Sequence, residues 1–290
     1  RDRNRPGIVL WGMGNESRSR RAYLKLREVA RELDPDRPVI YAENHYRRAV
    51  RGRTIGIPDV WGTNYELEAI EAGCEACALG NVVVSEFANH PPAVRGQLDK
   101  EAEQMALIAR ELKMFEHKAH VAGFAIWCFN DYATMRKERY NRQCGLVDAW
   151  RVPKMSAAFL RAKYTGEPFI TVFANWGETG GGETGARDAH IFTNCDEVAI
   201  VQNGRPVATI GGAPYRLQPL PFEPGSLVFV GRKDGREARY ELVSFREASR
   251  VALRLEKAEG HAEQRDTIGV VVRIADDEGR LVTTLNGKAR

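Results

Sequence analysis

Cysteine is scarce and odd in number: Cys74, Cys77, Cys128, Cys144 and Cys195 are five residues in 290. A sparse, unpaired set excludes a disulfide framework as the source of stability and points to a reduced compartment. Cys74 and Cys77 have CxxC spacing, yet no second CxxC or HxxxH follows to complete a zinc site, so no metal is expected. Long hydrophobic runs are missing too; none approaches the roughly 18 residues of a membrane-spanning helix, and no membrane partner is expected. Neither sign of charge dominates, with 43 Lys and Arg against 39 Asp and Glu and a formal net charge of +4. An excess that small and that dispersed gives no ground for nucleic-acid binding. The densest basic stretches, Arg18 with Arg20 and Arg21, and Arg47, Arg48, Arg51 and Arg53, read as solvated helix faces or loops. An initiator Met and the parts of a secretion leader are also absent, so the start reads as cut from a longer chain and localisation is undetermined.

What is present is a change of texture along the chain. Up to about residue 165, short apolar runs (Ile8–Trp11, Val39–Tyr41, Asp59–Asn64, Val82–Phe87, Gly123–Phe129) alternate with helical stretches (Arg18–Glu32, Leu67–Ala78, Asp99–His117). In the last of these, Leu107, Ile108, Leu112 and Phe115 recur at helical spacing. Such β-α alternation implies a parallel sheet, either open and doubly wound or closed as a barrel. Beyond Pro168 come a Gly-rich stretch, Gly177–Gly185, and alternating runs such as Ala189–Thr193, Glu197–Gln202, Leu227–Gly231 and Gly269–Ile274, with an Asn203-Gly204 hairpin turn. A β-sandwich is the natural reading of that half. The expected division is therefore residues 1–165, residues 166–248, and residues 249–290 as the start of a further sandwich, which looks truncated.

Several of the early strands end in polar residues: Gly14-Asn15-Glu16, Asn64-Tyr65, Ser85-Glu86 and Trp127 through Asp131. In a (β/α)8 barrel the C-terminal strand ends converge on one pocket, which gives Glu16 and Glu86 a common destination. Glycoside hydrolysis needs two such carboxyl groups, one protonated to release the leaving oxygen and one ionised to meet the oxocarbenium-like carbon. A lone Glu after an apolar run is ordinarily a helix N-terminal residue favoured by the dipole. Two of them, in Gly-Asn-Glu-Ser and Ser-Glu-Phe, weaken that reading.

The stretch from Arg5-Pro6-Gly7-Ile8 to Trp11-Gly12-Met13-Gly14-Asn15-Glu16-Ser17 resembles the strand-four signature of glycoside hydrolase family 2, and Val82-Val83-Val84-Ser85-Glu86-Phe87 resembles its strand-seven segment. Leu33 to Val39 resembles the lead into strand five, Gly123 to Trp127 resembles strand eight, and Gly145-Leu146-Val147-Asp148 with Pro153-Lys154 resembles the closing segment of the barrel. Asn175-Trp176, Phe192 to Val198 and Asn203-Gly204 resemble the sandwich of bacterial β-galactosidase-like members. The resemblance implies the C-terminal half of a TIM barrel, strands four to eight, followed by immunoglobulin-like β-sandwich domains. It implies a retaining β-glycosidase, first a β-galactosidase, with β-glucuronidase and β-mannosidase as alternatives, using no cofactor. Glu16 is then the acid/base, Glu86 the nucleophile, and Asn15 the partner of the sugar 2-hydroxyl. Tyr65 is either the tyrosine that orients the nucleophile or a half-buried strand-end aromatic. Trp127 is either a platform under the sugar or a core tryptophan. The partner implied is a carbohydrate substrate, with a homo-oligomer left open.

The segment departs from the family at Ala88, where Gly commonly follows the aromatic residue, and at Arg5, where the pattern has His. His45, His90 and Asp131 sit near strand ends and read first as surface or supporting residues. A nucleotide-binding α/β fold accounts for the alternation, but Gly12-x-Gly14 is followed by Asn15-Glu16 and not by a full GxGxxG. A carbohydrate-binding protein without catalysis is the other rival; nothing in Asn15, Glu16 or Glu86 supports degeneration.

Overall fold

The computed structural model describes residues 4–135, 141–178, 185–255, 257, 259, 263 and 268–282. Two compact units divide between Pro153 and Lys154. The first alternates β1 (Trp11–Asn15), α1 (Arg20–Leu33), β2 (Val39–Glu43), α2 (Tyr46–Arg51), β3 (Val60–Asn64), a 3-10 turn with α3 (Ile70–Ala76), β4 (Val82–Glu86), α4 (Leu98–Phe115) and β5 (Val121–Phe124). The five strands form one parallel sheet in the order β1-β2-β3-β4-β5. Each connection steps to the next strand in the same direction. A doubly wound nucleotide-binding sheet must reverse its order at a switch point, and this one does not.

Local chemistry explains the elements. Ser19 caps α1 by accepting from the Ala22 N–H at 3.3 Å, leaving one fewer orphan donor in the first turn. Asp34-Pro35 closes the helix, since proline cannot continue it. On its inner face Tyr23 stacks on Tyr41 of β2 with centroids 4.1 Å apart. Arg27 and Arg31 reach buried Asp59 at 3.3 and 2.7 Å, and the same carboxylate accepts from Val39 N–H at 2.9 Å. One acid thus ties α1 to the start of β2. α4 buries Met105, Ile108, Leu112 and Phe115, and Phe115 meets Phe87 edge-on at 5.1 Å. Trp61, wholly buried, lies against Gly73, where an added Cβ would come within 2.3 Å of its ring.

The strands stop being regular where the polar residues begin. Register shifts fall between Gly12 and Asn15 in β1 and between Thr63 and Asn64 in β3. Beyond them Glu16, Tyr65 and Ala88 take positive φ of 51°, 65° and 61°. Bulges and left-handed residues re-aim side chains at strand ends, at a cost that the surrounding bonds must carry. The Ala88 value explains why glycine suits that position.

The second unit opens with α5 (Met155–Tyr164), which packs on β8 and β9 and so counts with the sandwich, where the sequence expectation placed it in the first domain. Between β5 and α5, and belonging to the first unit, lie the short pair β6 (Tyr132–Ala133) and β7 (Asn141–Arg142). A three-stranded sheet, order β12-β9-β8, is built from β8 (Ile170–Ala174), β9 (Ala186–Thr193) and β12 (Arg216–Pro221). A four-stranded sheet, order β11-β10-β13-β14, is built from β10 (Glu197–Gln202), β11 (Arg205–Gly211), β13 (Ser226–Lys233) and β14 (Arg236–Val243). Ile170, Val172, Ala189 and Ile191 from one sheet share a core with Val198, Ile200, Leu227 and Phe229 from the other, the packing of a two-layer sandwich. The Asn203-Gly204 turn has φ of 48° and 79°, both positive as a tight hairpin requires. Most of the Gly-rich stretch 177–185 lies outside the described residues. β15 (Arg250–Leu255) and β16 (Val270–Ala275) pair separately. No described helix is long and apolar enough to cross a membrane.

Candidate active site

Asn15 ends β1 and Glu16 follows it, Tyr65 follows β3, and Glu86 ends β4, so the parallel sheet delivers all four to the same edge. They line one cavity of about 420 Å³ with Asn44, Asn89, Trp127, Tyr132, Thr134 and Arg142. The five residues expected from the sequence are therefore together. Trp127 is half-buried and faces the cavity, with its ring edge-on to Tyr132 at 6.0 Å, which removes the core-tryptophan reading.

Beneath the cavity, wholly buried Asn64 organises the pair of glutamates. Its Nδ2 donates to Glu16 Oε1 at 2.9 Å and to Asn15 Oδ1 at 3.0 Å. Its Oδ1 lies 2.8 Å from Ser85 Oγ, while an ionised Glu16, which can only accept, calls for the NH2 end of the amide. Asn64 also stabilises the ionised form of Glu86. One amide thus bears on both carboxyl groups. Sequence reading gave Asn64 and Ser85 no role beyond closing a strand, and Asn44, Thr134 and Arg142 stand in loops without a motif.

Tyr65 Oη donates to Glu86 Oε2 at 2.5 Å, and the Tyr65 backbone N–H donates to the Glu86 carbonyl at 2.8 Å. Burial, and then the neighbouring Glu86, push the Tyr65 hydroxyl well above its ordinary value. It stays a donor throughout the neutral range. Burial also pushes Glu86 up, helped by the charge of Glu16 and opposed by donation from Tyr65 and Asn64. A raised carboxyl suits an acid and hydrogen-bond donors suit an ionised group, so the two influences on Glu86 pull in opposite directions. Burial has no aim, whereas the Tyr65 hydroxyl is directed at Glu86 alone; the donor is the more specific guide to its role.

The loop after β2 is held by Glu43, itself buried, which accepts from Asn44 and His45 N–H at 3.0 and 3.1 Å and pairs with Arg48. Arg48 in turn donates to Asn44 Oδ1 at 2.7 Å. His45 is exposed and pairs with Glu66 at 3.6 Å. His90 is buried with Nδ1 2.5 Å from the Pro91 carbonyl. Asp131, also buried, accepts from Gly145 N–H at 2.9 Å. All three are supporting residues.

A pair of half-buried carboxyl groups at the ends of parallel strands agrees with the sequence profile that matches residues 1–180, described as "Glycosyl hydrolases family 2, TIM barrel domain". The chain belongs to glycosyl hydrolases family 2. Residues 186–239 match a second family, described as a domain of unknown function (DUF4982). Among curated relatives, a β-galactosidase of Thermoanaerobacterium thermosulfurigenes is 28% identical over 218 residues, covering 69% of this chain and 30% of that protein. A β-glucuronidase of Formosa agariphila is 24% identical over 251 residues, covering 79% of this chain and 25% of that protein. The chain thus spans between a quarter and a third of these two relatives. A family 2 member from Bacteroides cellulosilyticus has the same fold, with a TM-score of 0.72 over 97% of this chain and 39% of that one at 19% identity. Parabacteroides merdae β-glucuronidase superposes with a TM-score of 0.63 over 96% of this chain and 41% of that one, at 21% identity.

Proposed function

We propose that the family 2 protein containing this chain hydrolyses terminal β-glycosidic bonds with retention of configuration, its first unit, residues 1–153, contributing strands four to eight of a (β/α)8 barrel ahead of immunoglobulin-like sandwich domains. The observation that carries the reading is the pair of glutamates on one cavity, with Glu16 held by the buried Asn64 amide and only Glu86 receiving the Tyr65 hydroxyl. In this reading Glu86 attacks the anomeric carbon while Glu16 protonates the leaving oxygen, and Glu16 then deprotonates the water that releases the sugar. The Asn15 carbonyl oxygen is engaged by Asn64, so its NH2 group is the end left to donate to a sugar 2-hydroxyl. Trp127 supplies an apolar wall for the ring, and Asn44, Asn89 and Thr134 supply polar groups for hydroxyls.

β-D-Galactosides are the substrates that the sandwich segments point to. One observation favours a second sugar: the guanidinium of Arg142 lines the cavity beside Asn89, to which it donates at 2.7 Å, and a cation there suits the carboxylate of a β-glucuronide. The test is a panel of nitrophenyl β-glycosides offered to the full-length protein and its Glu86→Ala and Glu16→Ala variants with added azide. Turnover lost in Glu86→Ala and rescued as an α-glycosyl azide, with a β-glycosyl azide from Glu16→Ala, supports both roles and names the sugar. A well-folded parent that turns over no β-glycoside defeats the hydrolase reading.

A further inference from the structure

Beside the catalytic cavity lies a second one, of about 790 Å³, lined by Arg18, His45, Arg47, Arg48, Arg51 and Glu66 among others. The same three loops build both. After β1, Glu16 lines the first cavity and Arg18 the second; after β2, Asn44 lines the first and His45 to Arg51 the second; after β3, Tyr65 lines the first and Glu66 the second. The two are physically joined through Arg48, which lines the basic cavity and donates to Asn44 of the catalytic one. Arg48 is neutralised by Glu43. Arg18, Arg47 and Arg51 are exposed and have no ion-pair partner among the described residues, so even against the lining acids Glu66 and Glu68 the cavity keeps a net positive field.

Position decides what such a cavity meets. The general acid sits on the leaving oxygen, so the leaving group extends past Glu16, and the basic cavity adjoins that residue: Arg18 is two residues along the same loop, and Arg48 is close enough for Glu16 to act on its charge. We propose that the basic cavity is the leaving-group subsite and takes an anionic sugar residue, one carrying a sulfate ester or a carboxylate. This rests on Glu16 being the acid of the proposed hydrolase. Exposed guanidinium groups suit both anions, as planar donors that bind carboxylate or sulfate oxygens in pairs.

The test uses the full-length protein with Glu86→Gln to prevent turnover, titrated by calorimetry with three β-linked disaccharides. They share the non-reducing sugar chosen by the glycoside panel, or galactose if the panel chooses none, and carry a sulfated, a uronic or a neutral reducing-end sugar. The expected result is at least tenfold tighter binding of one or both anionic probes than of the neutral one, a preference abolished by Arg47→Ala/Arg51→Ala, in which all three probes bind alike. The tighter of the two anionic probes names the group. Equal affinity for all three, or a preference that survives the double substitution, overturns the proposal. A parent that hydrolyses nothing while the arginine-dependent preference persists would sink the hydrolase reading and leave the anion subsite standing.

Discussion

Replacing Tyr65 by Phe removes one oxygen and tests the central geometric claim about the nucleophile. In the wild-type chain that oxygen donates to Glu86 Oε2 at 2.5 Å, and the effect of the bond is to lower the Glu86 value against the burial that raises it. A hydrogen bond to a charged group is worth roughly 1.5–3 kcal/mol. At about 1.4 kcal/mol per tenfold in rate, its loss should lower kcat by about 10- to 100-fold if the bond is made to ionised Glu86 on the way to attack. The direction in pH follows separately: without the donor the Glu86 value moves further up, a larger fraction is protonated at a given acidic pH, and the acidic limb of kcat/KM moves to higher pH. The assay is the pH profile of nitrophenyl β-glycoside hydrolysis by full-length wild type and Tyr65→Phe. A variant within twofold of wild type whose acidic limb has not moved would refute the role of Tyr65, whatever else holds about the pair.

Asn64→Ala should lower kcat by at least as much as Tyr65→Phe, because it removes the amide that donates to both Glu16 and Asn15; steady-state kinetics on the same substrates decide it. Glu86→Gln should unfold at a higher temperature than wild type at pH 7. The folded-state value of Glu86 is raised, so the native state binds more protons than the unfolded one and stability falls as pH rises from the unfolded value through the folded one. Melting curves should therefore converge below about pH 4, near the unfolded value, and a gain that persists there would rule out ionisation as its cause. Gly73→Ala places a Cβ 2.3 Å from the Trp61 ring; overpacking of this kind costs about 1–3 kcal/mol, whereas Gly7→Ala, with no neighbour within 4 Å, should leave denaturant midpoints unchanged.

The strands were legible because their apolar runs are short and bounded. The run expected at Val82–Phe87 is β4 at Val82–Glu86, and the one at Glu197–Gln202 is β10 with the same limits. β1 was placed early, at Ile8–Trp11, because hydrophobicity ends at Trp11 while the backbone pairing with β2 begins there and runs through glycines to Asn15. Pairing is a property of two strands, and the pattern of one does not contain it. The same reason explains the domain boundary: the sheet that α5 packs on is a tertiary contact that its own segment does not contain.

For the site, the sequence by itself determined which carboxylates stand at strand ends, and the parallel sheet then had little choice but to bring Glu16 and Glu86 to one edge. Tertiary structure alone decided the rest. Asn64 looks in sequence like any polar residue closing a strand; only the register shift between Thr63 and Asn64 and its full burial place it between two acids. Arg47 and Arg51 read as a solvated helix face until three loops, distant in sequence, folded them around a common cavity beside Glu16. Residue type and local spacing fix what a side chain can do chemically, but which other side chain it does it with depends on contacts between elements, and those contacts are set by packing and register.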